Sequence, residues 1–232
     1  MRLFFRVVAL LTTLVLVAAC ATAPVGAPVE TPRFVVGDHW QYRVIDHLRR
    51  GAVSRLDAEI VALAGDVATL RVVQVDGDMR SEWTDELDAN GGLRAGRLGR
   101  TAPRQFAPAA ALLAFPLEQG KSWRQTVPTF RPDLELPDEI LIYGDVQGRA
   151  AVAVPAGSFN AVQIYRVLQL DDAEFWRTRT VRRDRLWYAA EVRGVVRETR
   201  DAEYIERGDQ DSPAIYTELT TLELVSFRPG RV

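Results

Sequence analysis

From Trp40 onward the chain is dominated by a two-residue alternation of apolar and polar side chains, broken at short intervals by turn-forming residues. A period of two puts successive side chains on opposite faces of an extended strand, whereas an amphipathic helix needs a period near 3.6. Trp40, Tyr42 and Val44 fall on one face of a first strand, and His39, Gln41 and Arg43 on the other. Val67 to Val75 runs into Asp76-Gly77, a strong hairpin signal, with Met79 to Leu87 as the returning strand. Asn90-Gly91-Gly92 marks the next turn. The alanine- and leucine-rich stretch from Ala107 to Phe115 reads as a short helix bounded by Pro108 and Pro116.

A second group of strands follows the proline-bearing loop at Arg131 to Pro137. It comprises Ile140 to Val146, Arg149 to Val154, Ala161 to Leu170, Phe175 to Tyr188, Val195 to Tyr204 and Ile215 to Phe227, separated by Gly, Pro or Asp clusters. Ten to twelve strands without crossover helices predict an all-β chain, an antiparallel roll, sandwich or open barrel with at most one or two short helices. One domain, 34-232, accommodates them. With a single cysteine, no disulfide can staple this domain, so its core must hold the fold alone.

That cysteine closes a distinctive N-terminus. Arg2 and Arg6 precede an apolar run from Val7 to Ala19 that ends in the small pair Ala18-Ala19. This is the pattern of an export signal, and a run of about 13 residues, roughly 20 Å as a helix, is too short for a permanent span. Val17-Ala18-Ala19-Cys20 resembles the lipobox of bacterial lipoproteins. The resemblance implies that residues 1-19 are a cleaved signal helix, that the Cys20 thiol carries a diacylglycerol and that its freed amine is acylated. Two or three acyl chains anchor durably where one does not. Ala21, in place of an aspartate, favours sorting to the outer membrane, facing the periplasm. Residues 20-33, small and proline-rich, read as a lipidated flexible tether.

Loss of Arg2 and Arg6 with the signal takes the formal charge from −2 to −4, which gives no basic footprint for nucleic acid. Catalytic patterns are equally sparse. His39 and His47, with Asp38 and Asp46, are the only histidine-bearing motif, and their spacing nominates no further metal ligands. No Gly-x-Ser-x-Gly elbow and no phosphate-binding glycine loop is present. The expectation is a protein with no enzymatic activity, metal or cofactor.

Four motifs remain: Val36-Gly37-Asp38-His39-Trp40, Phe115-Pro116-Leu117 leading to Gly120-Lys121-Ser122-Trp123, Val154-Pro155-Ala156-Gly157-Ser158-Phe159, and Trp187-Tyr188-Ala189. In this order they resemble a family of bacterial envelope lipoproteins and secreted proteins of unknown function, across about residues 34 to 227. The family supplies no catalytic residue. The chain departs from it after Trp187-Tyr188-Ala189, where Ala190 to Arg193 precede Gly194, so a turn of different length is expected there.

Read physically, Gly37 and Gly120 each turn the chain three residues before a tryptophan that anchors a strand. The alternative role for Trp40, Trp83, Trp123, Trp176 and Trp187 is to line an apolar ligand cavity. Arg177, Arg179, Arg183 and Arg185 share one face of their strand and read as a solvated stripe facing Glu198, Asp201 or Glu203. The sequence thus points to a membrane-anchored scaffold or interaction module for another envelope protein. Its alternative is a carrier that holds a lipid or other apolar ligand in an open barrel.

Overall fold

A computed structural model of the chain describes residues 26–98, 103–131, 136–170, 180–207 and 213–231. Cys20, the signal segment and Trp176, Arg177 and Arg179 lie outside the described residues. The strands are β1 (His39–Asp46), β2 (Ala52–Ala64), β3 (Val67–Asp76), β4 (Met79–Leu87), β5 (Leu93–Gly96), β6 (Arg104–Ala110), β7 (Ser122–Arg131), β8 (Leu136–Val154), β9 (Gly157–Leu170), β10 (Thr180–Ala189), β11 (Gly194–Arg207) and β12 (Pro213–Arg228).

Each strand pairs antiparallel with its sequence neighbours, and β1 also pairs with β12, so the meander closes into a twelve-strand barrel. The all-β expectation holds, and among roll, sandwich and open barrel the chain forms a barrel that closes completely. Closure satisfies the backbone groups that an edge strand would leave open to another chain. Among the described residues no helix is long and apolar enough to cross a membrane.

The turn chemistry sets the register. Asp76 pairs with Met79 across a Gly77-Asp78 loop, and Val154 pairs with Gly157 across Pro155-Ala156, so both hairpins fall at their sequence signals. Gly37 and Gly120 adopt φ of 89° and 83°, left-handed values that cost a side chain strain. From those turns their N–H groups bond to the Ile60 and Val146 carbonyls, both at 2.8 Å, and deliver Trp40 and Trp123 into their strands.

Four regions differ from expectation. In the loop expected over Arg131 to Pro137, Arg131 ends β7 and Leu136 and Pro137 open β8, paired with Arg131 and Phe130; and β9 starts at Gly157, four residues before the expected Ala161. Ala107 to Phe115 is not helical: β6 runs through Ala110, and a loop carries Leu112, Leu113 and Phe115 inward. Side chains of β7 take the backbone bonds that a helix would have used. Gln125 accepts from the Ala111 N–H at 2.7 Å and donates to the Ala109 carbonyl at 2.9 Å, while the Trp123 indole donates to the Ala111 carbonyl at 2.9 Å. The segments Ile140 to Val146 and Arg149 to Val154 form one strand, β8, because a bulge between Val146 and Gly148 absorbs the break in alternation.

Three apolar clusters line the inside of the sheet: Trp40, Ile60, Val72 and Leu224 in one, Phe106, Val127 and Ile142 in the second, Val146, Ile164 and Leu186 in the third. One end of the barrel, its base, gathers the β2–β3, β4–β5, β8–β9 and β10–β11 links. Fully buried Asp38 fastens it. Its carboxylate accepts from the Val35 N–H at 2.9 Å, the Gly230 N–H at 2.8 Å and Arg193 Nη1 at 2.6 and 2.7 Å. The start of the barrel, its end and the β10–β11 link are thereby held by one side chain. Part of the expected tether packs here too. Val29 exchanges backbone hydrogen bonds with Leu117 at 3.0 and 2.8 Å, and Arg149 donates to the Ala27 carbonyl at 2.8 Å.

Candidate functional site

Roughly eight strands make a barrel whose side chains just fill it, so twelve leave space to dispose of. Here the lumen keeps a cavity of about 370 Å³, within the ~300–1,000 Å³ typical of small-molecule sites. Its two sides are chemically unlike. From β1 to β4 the lining is mainly apolar, with Trp40, Leu56, Ala58, Leu70, Val72 and Trp83 facing inward. From β9 to β12 it is ionic, carrying Arg166, Arg182, Glu198, Arg200, Glu218 and Thr220.

Strand register builds the ionic wall. Arg166 pairs with Asp184, Asp184 with Arg200, and Arg200 with Thr220, so four neighbouring strands place these residues in one inward row. Arg166 donates to Asp184 Oδ2 through Nε at 3.0 Å and Nη2 at 2.7 Å, and to the Leu112 carbonyl at 3.0 Å. Arg182 reaches Asp184 Oδ1 at 2.8 Å and Glu198 Oε1 at 3.2 Å, and Arg200 holds Glu198 Oε2 at 2.9 Å.

Burial alone would push the Asp184 carboxyl up, but Arg182 and Arg166 overcome it and hold it at about 2. Glu198 is likewise held below its ordinary value: burial, the largest influence, and the neighbouring Asp184 oppose ionisation, and Arg200 together with Arg166 outweighs them. Both carboxylates are therefore charged and committed to guanidinium partners, which leaves neither as a base for chemistry in the lumen.

The opposite wall has a small polar outpost. Arg97 lies over the Trp83 ring, 5.1 Å from its centroid, and its backbone N–H donates to Asp85 at 3.1 Å. Burial raises the Asp85 carboxyl above its usual value. Tyr42 lines the lumen between the walls and donates to the Val195 carbonyl at 2.9 Å. Burial, then the nearby Glu198 charge, pushes its phenol up, so it stays protonated.

The structure distributes the five candidate tryptophans unevenly. Trp40 and Trp83 line the cavity. Trp123 lies outside that lining, with its ring against Gly144, and Trp187 lies outside it beneath the Arg197 guanidinium at 5.6 Å. Trp176 falls outside the described residues. The histidines sit at opposite ends of β1. His39 is 3.5 Å from Asp57, and His47 shares a 2.8 Å hydrogen bond with Thr221. Among the described residues no group of three or more His, Cys, Asp or Glu is placed to hold a metal ion.

Arg183 and Arg185 are exposed, and Arg183 sits opposite Asp201 as the alternation predicts. Glu198 is a correction: it lies on the even-numbered, inward face of β11 with Arg200 and Ala202, so it serves the interior row and not the outer stripe. The row itself went unnoticed in the sequence. Its signal is Arg182 and Asp184 occupying the same alternate positions as Thr180, Leu186 and Tyr188, all of them buried. Opposite charges two residues apart on an apolar face mark an inward ion pair.

No family model matches the chain, and no curated protein matches it. Among solved structures, a candidate lipoprotein from Parabacteroides distasonis superposes with a TM-score of 0.51 at 10% identity, covering 88% of this chain and 100% of that one. A candidate exported protein with a YmcC-like fold from Bacteroides fragilis gives 0.44 at 10% identity, covering 87% and 100%. The hypothetical lipoprotein YmcC from Escherichia coli gives 0.39 at 6% identity, covering 85% and 87%. The resemblance to bacterial lipoproteins carried by the motifs thus holds at the level of the fold: this chain shares the fold of the Parabacteroides protein over 88% of its length.

Proposed function

We propose that this chain is a lipid-anchored, non-enzymatic protein of the bacterial envelope whose barrel holds a small apolar or amphipathic ligand. The observation that carries the reading is the cavity of about 370 Å³ running between an apolar and an ionic wall. A barrel serving only as a scaffold has no need of such a space, and filling it with side chains would add burial worth about 25 cal/mol per Å². The ionic wall gives catalysis little support, because its buried carboxylates Asp184 and Glu198 are tied to arginines.

Acylated Cys20 would hold the protein at the outer membrane, facing the periplasm. Docking of Val29 on Leu117 leaves at most roughly 30 Å of chain between the lipid and the base of the barrel. The base would therefore face the membrane and the far end the periplasm. Replacement Cys20→Ala should abolish palmitate labelling and release the chain from the membrane fraction. Retained labelling and fractionation would refute the anchor.

For the ligand, the test is native mass spectrometry of mature protein purified without delipidation. The expected result is a mass increment of one small amphiphile that is lost on unfolding. A bare protein that also takes up no acyl compound on reconstitution would refute the carrier.

A second reading is favoured by the far end of the barrel. Leu48, Val53 and Met79 are 52%, 60% and 66% exposed. The two turns that present Leu48 and Met79 are tied by Arg49 to Asp76 at 2.9 Å. An apolar rim pointing away from the membrane suits a protein partner. Photo-crosslinking from Met79 in intact cells should recover one envelope protein, and recovery of abundant porins alone would count against it.

A further inference from the structure

Resting on the carrier reading, we infer that the ligand is an anionic amphiphile. Its oxyanion head, a carboxylate or a phosphate, is received by Arg200 and Thr220, and its apolar body lies along the β1–β4 wall.

The argument starts from what the ionic wall leaves unused. Arg166 spends its donors on Asp184, Glu198 and the Leu112 carbonyl, and Arg182 spends Nε and Nη2 on Asp184 and Glu198. Arg200 differs: Nη2 bonds to Glu198, while its buried Nε has no partner. Directly across the strand pair, Thr220 is 4% exposed, and its buried hydroxyl also has no partner. Both residues line the cavity. Buried polar groups are nearly always paired, and an unpaired one costs about 1–3 kcal/mol, so adjacent unpaired donors on a cavity wall describe a complementary acceptor.

Charge permits the same occupant. The three guanidinium groups of this wall, Arg166, Arg182 and Arg200, face the carboxylates Asp184 and Glu198 and, at its partly exposed side, Glu218, whose charge also acts on Arg200. The case for an anion rests on the two unpartnered donors, which an oxyanion satisfies with charge-assisted hydrogen bonds. On the facing wall Trp40, Leu70 and Val72 favour an apolar body, while the buried Trp83 Nε1 and Arg97 Nε there are single unpartnered donors that do not sit across a strand pair from each other as Arg200 and Thr220 do.

The test uses the whole mature chain with Cys20→Ser, so that no acyl anchor competes. Calorimetric titration, below micelle formation, compares dodecanoate, dodecyl phosphate, uncharged monolaurin, dodecyltrimethylammonium and inorganic phosphate. The expected result is that at least one of the two anionic amphiphiles binds ten-fold or more tighter than the uncharged and cationic compounds and than inorganic phosphate; which one does so identifies the head. Thr220→Val should weaken that anionic probe roughly ten-fold and leave monolaurin unchanged, and Arg200→Gln should weaken it further. Thr220→Val removes a hydroxyl that bonds to nothing in the fold, so it remains decisive where Arg200→Gln fails to fold. Equal binding of all head groups, inorganic phosphate binding as tightly as its dodecyl ester, or an unchanged anionic affinity in folded Thr220→Val would overturn the head assignment while leaving a carrier. Absence of binding by every probe would overturn the carrier as well.

Discussion

The two walls of the lumen solve the problem of a strand's inward face in opposite ways. On β1–β4 the alternation is, Asp85 apart, the ordinary one, with aromatic and aliphatic residues turned in and charge turned out, as in Arg71 bonding to Glu59 across β2 and β3 at 2.6 Å. On β9–β12 charged residues turn in, and they are tolerated because register places each beside an opposite charge. Burial in the first wall is non-directional and forgiving of small shape changes. In the second it is conditional on every partner being present. Tolerance to substitution should therefore differ sharply between the walls.

The largest effect is expected at the centre of the ionic row. Asp184→Asn leaves Arg166 and Arg182 buried without their shared carboxylate and should cost about 3–5 kcal/mol in chemical denaturation. Replacing Arg166, Arg182 and Asp184 together by Met, Leu and Leu should recover most of that loss. A triple variant no more stable than the single one would show that the cost is steric and not electrostatic.

On the apolar wall, fully buried Ile60 changed to Ala should cost about 3 kcal/mol. Leu70→Ala, at a partly buried position facing the cavity, should cost roughly 1–2 kcal/mol. Equal losses would mean that the lumen beside Leu70 is as tightly filled as the core around Ile60.

Acid should weaken the ionic wall. Asp184 is lowered in the folded state, from 3.8 to about 2, so its stabilisation is present above pH ~4 and is lost as pH falls toward 2. That loss is about 2 kcal/mol, and depression of Glu198 adds in the same direction. The triple apolar variant should lose less stability between pH 4 and 2 than the native chain. The smallest effect is expected outside the barrel, where Arg71→Gln should change stability by less than about 0.5 kcal/mol.

The same contrast explains what could be read in the sequence. Where alternation and turn residues agree, as at Asp76-Gly77, strands and hairpins were legible to within a residue; at Pro155 to Gly157 the turn was legible, but the returning strand starts at Gly157, four residues before the expected Ala161. The inward side of β1 was legible because Trp40, Tyr42 and Val44 are apolar or aromatic. Ala107 to Phe115 misled because its backbone partners are side chains of β7, distant in sequence. The ionic row was hidden for a related reason. A charged residue on a strand is normally outward, and only pairing across four strands makes Arg166, Asp184 and Arg200 compatible with the interior. Closure of the barrel was illegible too, since it rests on β1 meeting β12 at the far end of the chain.

The most direct test of a lumen divided between an apolar and an ionic wall is the anomalous scattering of an ω-bromododecanoate in crystals of the mature chain. The account predicts its carboxylate within hydrogen-bond reach of Arg200 and Thr220, and the bromine among Trp40, Leu70 and Val72. A bromine beside the arginine row, or bound only on the outer surface of the barrel, would contradict it.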